Sequence, residues 1–183
     1  HGVPTAKRAL LVCPASLVGS WGQEISKWLG AVRAQAALAE GTKADEAYAK
    51  WAIGAPADTK SAFDAWPILV TSYETLRRLA PVAAGARPEI VVCDEAHRLK
   101  NTQRESQTLS ALRTVNAPMR VLLTGTPVQN NLDEYAAVME FACPGLLGPQ
   151  HSFHKRFTQP VRRGGEPHAT ASEIALAKKA AFE

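Results

Sequence analysis

The residues best equipped for chemistry are two adjacent carboxylates and a histidine, Asp94-Glu95-Ala96-His97, which directly follow the apolar run Ile90-Val91-Val92-Cys93. A carboxylate at the end of a buried strand can hold Mg²⁺ against nucleotide phosphates, usually through water, and a second one beside it can orient or deprotonate an attacking water. A bare Asp-Glu pair would read as a strand end entering a solvated loop. Here it is joined by Gly125-Thr126-Pro127 after a further apolar run, Val121-Leu122-Leu123-Thr124, and the combination favours a site. His97 stands three residues after Asp94, on the carboxylates' face if a helical turn begins there. From the end of the next strand, the hydroxyls of Thr124 and Thr126 can exchange hydrogen bonds with it. Taken alone, His97 reads as an ordinary loop histidine and Gly125-Thr126-Pro127 as a turn.

The elements that must position these groups are legible from periodicity. Two more apolar runs, Ala9-Leu10-Leu11-Val12-Cys13 and Ile68-Leu69-Val70-Thr71, join the two already named. None of the four alternates with polar residues, so each is expected to be a strand covered on both faces, as in a parallel sheet between helices. A weaker fifth candidate lies around Val32 to Leu38, where a run of alanines leaves helix as a competitor. Leu17, Trp21, Ile25, Trp28 and Leu29 recur at helical spacing before Gly30. Helices are also expected over Ala47 to Ile53, Tyr73 to Leu79 ending before Pro81, Gln103 to Val115, and Leu132 to Phe141. Alternation at this pitch predicts an α/β fold, a doubly wound and mainly parallel sheet flanked by helices. Ligands of such sheets gather at the carboxyl ends of the strands, where Pro14-Ala15-Ser16, Ser72-Tyr73-Glu74, Asp94-Glu95 and Gly125-Thr126 all fall.

Composition narrows the classes. Across 183 residues, 46% are hydrophobic and 21% charged, as in globular chains, and 21 Lys and Arg against 17 Asp and Glu give a net charge of +4. That excess permits an acidic partner without demanding one. The three cysteines, Cys13, Cys93 and Cys143, include no CxxC pair, which argues against a disulfide framework or zinc cluster and for a reducing compartment. Cys13 and Cys93 are expected as small core residues. Trp21 and Trp28 are likewise expected in the core rather than as a base-stacking platform. No stretch reaches the roughly 18 apolar residues of a membrane span and no signal peptide is visible, so no membrane partner is expected. After Pro144-Gly145 the character changes: Lys155, Arg156, Arg162 and Arg163 make a basic run, a DNA contact or simply a charged loop. Thr170-Ala171-Ser172-Glu173 then reads as a capping box opening a last helix. The division expected is 1–145 and 146–183. A first residue other than Met and a last helix without a stop signal suggest a piece of a longer protein.

In that order, LLVCPASLVGSWGQEISKWLG, ILVTSYETLRR, IVVCDEAHRLKN and VLLTGTPVQNNLDEYAAVMEFACPGLLG resemble consecutive motifs of the Swi/Snf-type ATPases, double-stranded DNA translocases of helicase superfamily two. The resemblance spans residues 8–160. SLVGSWGQEISKWLG, PGLLG and FHKRF look most like the recombination-repair branch of the Rad-fifty-four type, while chromatin remodellers share most of the other motifs. The resemblance implies an incomplete RecA-like helicase lobe that works on ATP with Mg²⁺. Asp94 would hold the Mg²⁺, Glu95 would activate the hydrolytic water, and His97 with Thr124, Gly125 and Thr126 would couple hydrolysis to movement. Pro14, Ala15 and Ser16, then Ser72 and Tyr73, match motifs lining the DNA path, and Arg98 and Lys100 can add to that groove, though lone charges read first as solvated surface. Partners implied are double-stranded DNA, a second ATPase lobe of the same protein, and recombinase or chromatin, in the nucleus. The family's phosphate loop ending Gly-Lys-Thr occurs nowhere in residues 1–183. Two rival readings are a DEAH-type RNA helicase lobe and a non-catalytic scaffold that kept the fold. TGTPVQNN and SLVGSWGQEISKW speak against the first, and intact Asp94, Glu95 and His97 against the second.

Overall fold

A computed structural model describes residues 6–30, 35–53, 67–99, 103–125 and 132–182, with side chains 103–106 left out. The described chain divides into two compact units, 1–124 and 125–183. The first is built on five strands: β1 (Ala9–Cys13), β2 (Ala36–Ala39), β3 (Ile68–Ser72), β4 (Ile90–Cys93) and β5 (Met119–Leu122). They lie in the order β2-β3-β1-β4-β5, and every pairing is parallel. The flanking helices are α1 (Val18–Leu29), α2 (Ala44–Ile53), α3 (Tyr73–Gly85) and α4 (Gln103–Val115). This is the α/β architecture expected, and the alanine-rich fifth segment is a strand over Ala36–Ala39, residues 32–34 lying outside the described residues.

Central β1 makes the arrangement stable. Leu10, Val12 and Cys13 are wholly buried, as are Leu69 and Val70 on β3, and full burial of each Leu or Val contributes roughly 1.5–3 kcal/mol. Helix α1 lays Val18 and Ile25 on a cluster with Leu11, Cys13 and Val70, with Trp21 packed partly against it. Its stop is Gly30, at φ 72°, whose N–H donates to the Ser26 carbonyl at 3.0 Å. Ser72 caps α3 by accepting from the Thr75 N–H at 3.1 Å.

Three local expectations are corrected. Helix α3 continues through Pro81 to Gly85, because the buried stripe Leu76, Leu79, Ala80, Ala83 carries on past the proline. Burial there outweighs the lost N–H. Trp28 is 74% exposed and stands at the solvent end of α1, not in the core. β5 begins two residues before the apolar run and ends at Leu122, and it is not covered on both faces: Val121 and Leu123 are each 39% exposed.

The second unit holds α5 (Leu132–Ala142), α6 (Gln150–Phe153), a π-helical turn (His154–Thr158), α7 (Gln159–Gly164) and α8 (Ala171–Phe182). Helix α5 joins this unit rather than the sheet's. Asp133 in its first turn accepts from the Thr158 hydroxyl at 2.7 Å and pairs with His154 Nδ1 at 2.8 Å. The capping box of α8 forms as read: the Thr170 N–H donates to Glu173 Oε2 at 2.9 Å, and the Glu173 N–H to the Thr170 hydroxyl at 3.3 Å. The Thr170 N–H foremost, and then its hydroxyl donating to the same Oε2 at 2.7 Å, hold the Glu173 carboxyl below its ordinary 4.5. The cap is therefore whole above that pH and is lost as pH falls through the lowered value. Among the described residues no helix is long and apolar enough to cross a membrane.

Helices α7 and α8 meet at Gly164, where an added Cβ would run into the Ala177 Cβ and within 3.0 Å of the Glu173 carbonyl oxygen. Gly164→Ala is expected to cost about 1–3 kcal/mol by overpacking, read as faster amide exchange along α8. Unchanged exchange would mean that the two helices do not depend on this close approach.

Candidate active site

The strand register decides where the site lies. Ala9 pairs with both Ile68 and Ile90, so β1, β3 and β4 start level and deliver Pro14, Tyr73 and Asp94 to one edge. The chain leaves β1 toward β2 on one side of the sheet and leaves β4 toward β5 on the other. Neighbouring strands whose connections depart in opposite directions open a crevice between their carboxyl ends, the place where such sheets bind ligands. Asp94-Glu95 and Pro14-Ala15-Ser16 border that crevice.

Asp94 is held at four atoms. Its N–H donates to the Val12 carbonyl at 2.8 Å, and its own carbonyl accepts from the Tyr73 hydroxyl at 2.6 Å. In the carboxylate, Oδ1 accepts from the Glu95 N–H and Oδ2 from the Trp21 indole Nε1–H, both at 2.9 Å. A carboxylate offers about four lone-pair sites, so one remains on each oxygen.

Glu95 has φ 52°, a left-handed conformation that costs a non-glycine residue about 1–3 kcal/mol. The kink lets the chain turn off the strand into the 3₁₀ turn Ala96–Leu99, closed by Arg98 N–H to the Glu95 carbonyl at 2.9 Å. Buried Ala96 and Leu99 anchor that turn, and the Ala96 N–H donates to the Leu123 carbonyl at 2.8 Å, tying it to the end of β5. His97 Nδ1 consequently lies 3.1 Å from Glu95 Oε2 and 3.1 Å from the Thr124 hydroxyl. As an N–H it donates to the carboxylate or to the hydroxyl oxygen; as a bare nitrogen it accepts from Thr124 alone, so only the Nδ1–H form bonds Glu95.

The other sequence candidates fall into three groups. Ala15 and Ser16 are exposed and Pro14 half-buried, at the entry to α1, and Arg98 is exposed. Ser72 and Tyr73 turn their side chains into the fold. Both are buried, with Ser72 spent on the α3 cap and Tyr73, 3% exposed, on the Asp94 carbonyl. Burial drives the Tyr73 hydroxyl's pKa upward, keeping it a donor. Gly125 opens the second unit, and Thr126 and Lys100 lie outside the described residues. Sequence reasoning missed Trp21 as a site residue. The available signal was its place in the first turn of the helix after β1, from which an indole reaches the end of a neighbouring strand.

Burial pushes both strand-end thiols up to about 12, with Asp94 and Glu40 adding to the effect at Cys13, so neither supplies a thiolate. Among the described residues no group of three or more His, Cys, Asp or Glu could hold a metal. One fixed carboxylate with open lone pairs and a second carboxylate beside it instead suit Mg²⁺, which takes one or two carboxylates and completes its shell with water and phosphate.

The family description "SNF2-related domain" matches residues 3–179. The chain belongs to the SNF2-related domain family. It is 39% identical over 177 residues to the DNA repair and recombination protein RAD54 of Saccharomyces cerevisiae, covering 91% of this chain and 19% of that protein. Against the human DNA repair and recombination protein RAD54-like it is 38% identical over 176 residues, covering 96% and 23%. Among solved structures it is similar to the Sulfolobus solfataricus SWI2/SNF2 ATPase core in complex with dsDNA, with TM-score 0.62 and 26% identity over 94% of this chain and 32% of that one. This SNF2-related chain thus spans about a fifth of the length of the curated relatives it matches. Its membership also corrects a label: Asp94-Glu95-Ala96-His97 spells DEAH, but the SNF2 family is a different branch from the DEAH-box helicases.

The Tyr73 bond gives a direct check. Tyr73→Phe keeps the ring and leaves the Asp94 carbonyl short of a donor, at a cost of about 1–2 kcal/mol. The expected readout is a lower urea midpoint at unchanged slope, and an unchanged midpoint would show that the bond contributes nothing net.

Proposed function

We propose that residues 1–145 form most of the first ATPase lobe of an ATP-driven translocase on double-stranded DNA, acting in recombinational repair in the nucleus. The observation carrying this reading is the placement of Asp94 and Glu95 at the switch point of an all-parallel sheet, with His97 between Glu95 and Thr124. RAD54-named relatives and a neighbour solved with dsDNA support the choice of partner and process. Chromatin remodelling is the nearest alternative process, since the family match alone fits it equally.

In this reading the carboxylate of Asp94 holds Mg²⁺, which when bound neutralises phosphate charge on ATP. Glu95 is the base that orients and deprotonates the attacking water. Its conformational strain is consistent with a carboxylate aimed by the turn rather than left to relax. His97 reports the charge on Glu95 to the end of β5: a proton on Nδ1 favours Glu95, and its loss favours Thr124. With Thr124, Gly125 and Thr126 it couples hydrolysis to movement. Pro14, Ala15 and Ser16, with Arg98 and Lys100, offer backbone and cationic contacts to DNA phosphates, which carry no sequence information. The basic run Lys155 to Arg163 is a further phosphate-binding candidate. A second ATPase lobe, and recombinase or chromatin, complete the partners.

In the complete protein, Glu95→Gln is expected to retain MgATP binding and to lower turnover by at least about 10²-fold. Duplexes of unrelated sequence should stimulate the unsubstituted ATPase equally, and binding should weaken steeply with salt. The 183-residue chain by itself, carrying no Gly-Lys-Thr loop, should bind MgATP no tighter than the millimolar range and release no phosphate. Near-normal turnover in Glu95→Gln would remove Glu95 from the chemistry, and stronger stimulation by RNA than by duplex DNA would overturn the translocase reading.

A further inference from the structure

The indole N–H of Trp21 has no part in the chemistry above, yet it is aimed at the one carboxylate assigned to a cation. Trp21 stands in the first turn of α1, one face packed against the cluster of Leu11, Cys13, Val18, Ile25 and Val70. Its Nε1 lies 2.9 Å from Asp94 Oδ2, across from the Glu95 N–H on Oδ1. A carboxylate's last torsion is broad and two-fold, so an Asp with a single donor can still swing. Two donors on opposite oxygens, one from backbone and one from a packed ring, fix the carboxylate plane. Hydrogen bonds to an ionised acceptor are also about twice as strong as neutral ones. Packing alone does not need the nitrogen, since a phenyl or naphthyl-like surface would fill the same face.

We propose that Trp21 is a positioning residue for Asp94: its indole N–H orients the carboxylate so that the remaining lone pairs face the crevice and the cation. This rests on the reading of Asp94 as the Mg²⁺ carboxylate. Groups that orient a metal-bearing side chain typically change metal affinity by 10–100-fold when removed. Because Trp21 belongs to α1 and Asp94 to the end of β4, the bond also makes the cation site sensitive to any displacement of that helix.

The test uses the complete protein with Mn²⁺ as probe and a non-hydrolysable ATP analogue, free Mn²⁺ being counted by electron paramagnetic resonance. Trp21→Phe removes the donor, and benzothienylalanine at position 21 removes it at constant shape, sulfur replacing the N–H. Both are expected to weaken Mn²⁺ binding about tenfold, with the analogue's affinity in the absence of metal unchanged. The sulfur isostere keeps the packing, and its unchanged affinity for the analogue without metal shows that a loss of Mn²⁺ binding there is not a loss of fold. Asp94→Asn, the reference, is expected to weaken Mn²⁺ binding further. Unchanged Mn²⁺ affinity in the isostere, with Asp94→Asn impaired, overturns the role of Trp21 and leaves Asp94 in place. Unchanged affinity in Asp94→Asn overturns the Mg²⁺ assignment itself and this inference with it.

Discussion

The hydrogen bond from the Asp94 N–H to the Val12 carbonyl extends the parallel ladder of β1 and β4 by one residue past the strand end, and the site depends on that extension. It places the first carboxylate while the backbone is still held by the sheet, before the chain is free to turn. Tyr73 secures the same residue from the start of α3, reaching past β1, and Trp21 secures its side chain from α1. Three elements of the fold, β1, α1 and α3, therefore meet on one aspartate. The strained turn at Glu95 follows at once, so the second carboxylate leaves the edge in a direction that the sheet and the Ala96–Leu123 bond dictate. A site built this way holds Asp94 at four atoms, while the Nδ1 of His97 has two partners within reach.

Much of this was legible in the residues. Runs of buried aliphatics without alternation specify strands covered on both faces, and β1, β3 and β4 lie within a residue of where periodicity put them. The edge strand β5 was not legible to the same degree. Its apolar run Val121-Leu122-Leu123 looks like the interior ones, but an edge strand's exposure is set by what lies beside it, which composition does not encode. Pro81 misled for a related reason: a helix stop is a local rule, and the buried stripe from Leu76 to Ala83 is a tertiary fact that overrides it. Trp28 continues the spacing of α1 yet lies in solvent, its indole N–H donating to Glu24 one turn back, and spacing alone does not say which residues of a stripe find a partner surface.

The site divides in the same way. Asp94, Glu95 and His97 are visible because their types and spacing are chemically unusual beside a buried strand. Ser72 and Tyr73 do lie at the carboxyl end of β3, but that position does not say whether a side chain faces solvent or folds back as a strut. Trp21 looked like core because an aromatic at helical spacing usually is. Its nitrogen acquires meaning only when strand order sets the α1 entry beside the end of β4.

The central claim is that Asp94, clamped at the end of β4, is the carboxylate that receives the nucleotide's cation. The most direct measurement is anomalous diffraction from Mn²⁺ in crystals of the complete protein with a non-hydrolysable ATP analogue and duplex DNA. The account predicts an anomalous peak within direct or one-water reach of the Asp94 carboxylate, with Trp21 Nε1 still bonded to its other side. A peak remote from Asp94, or an Asp94 side chain turned away from the nucleotide, would contradict it.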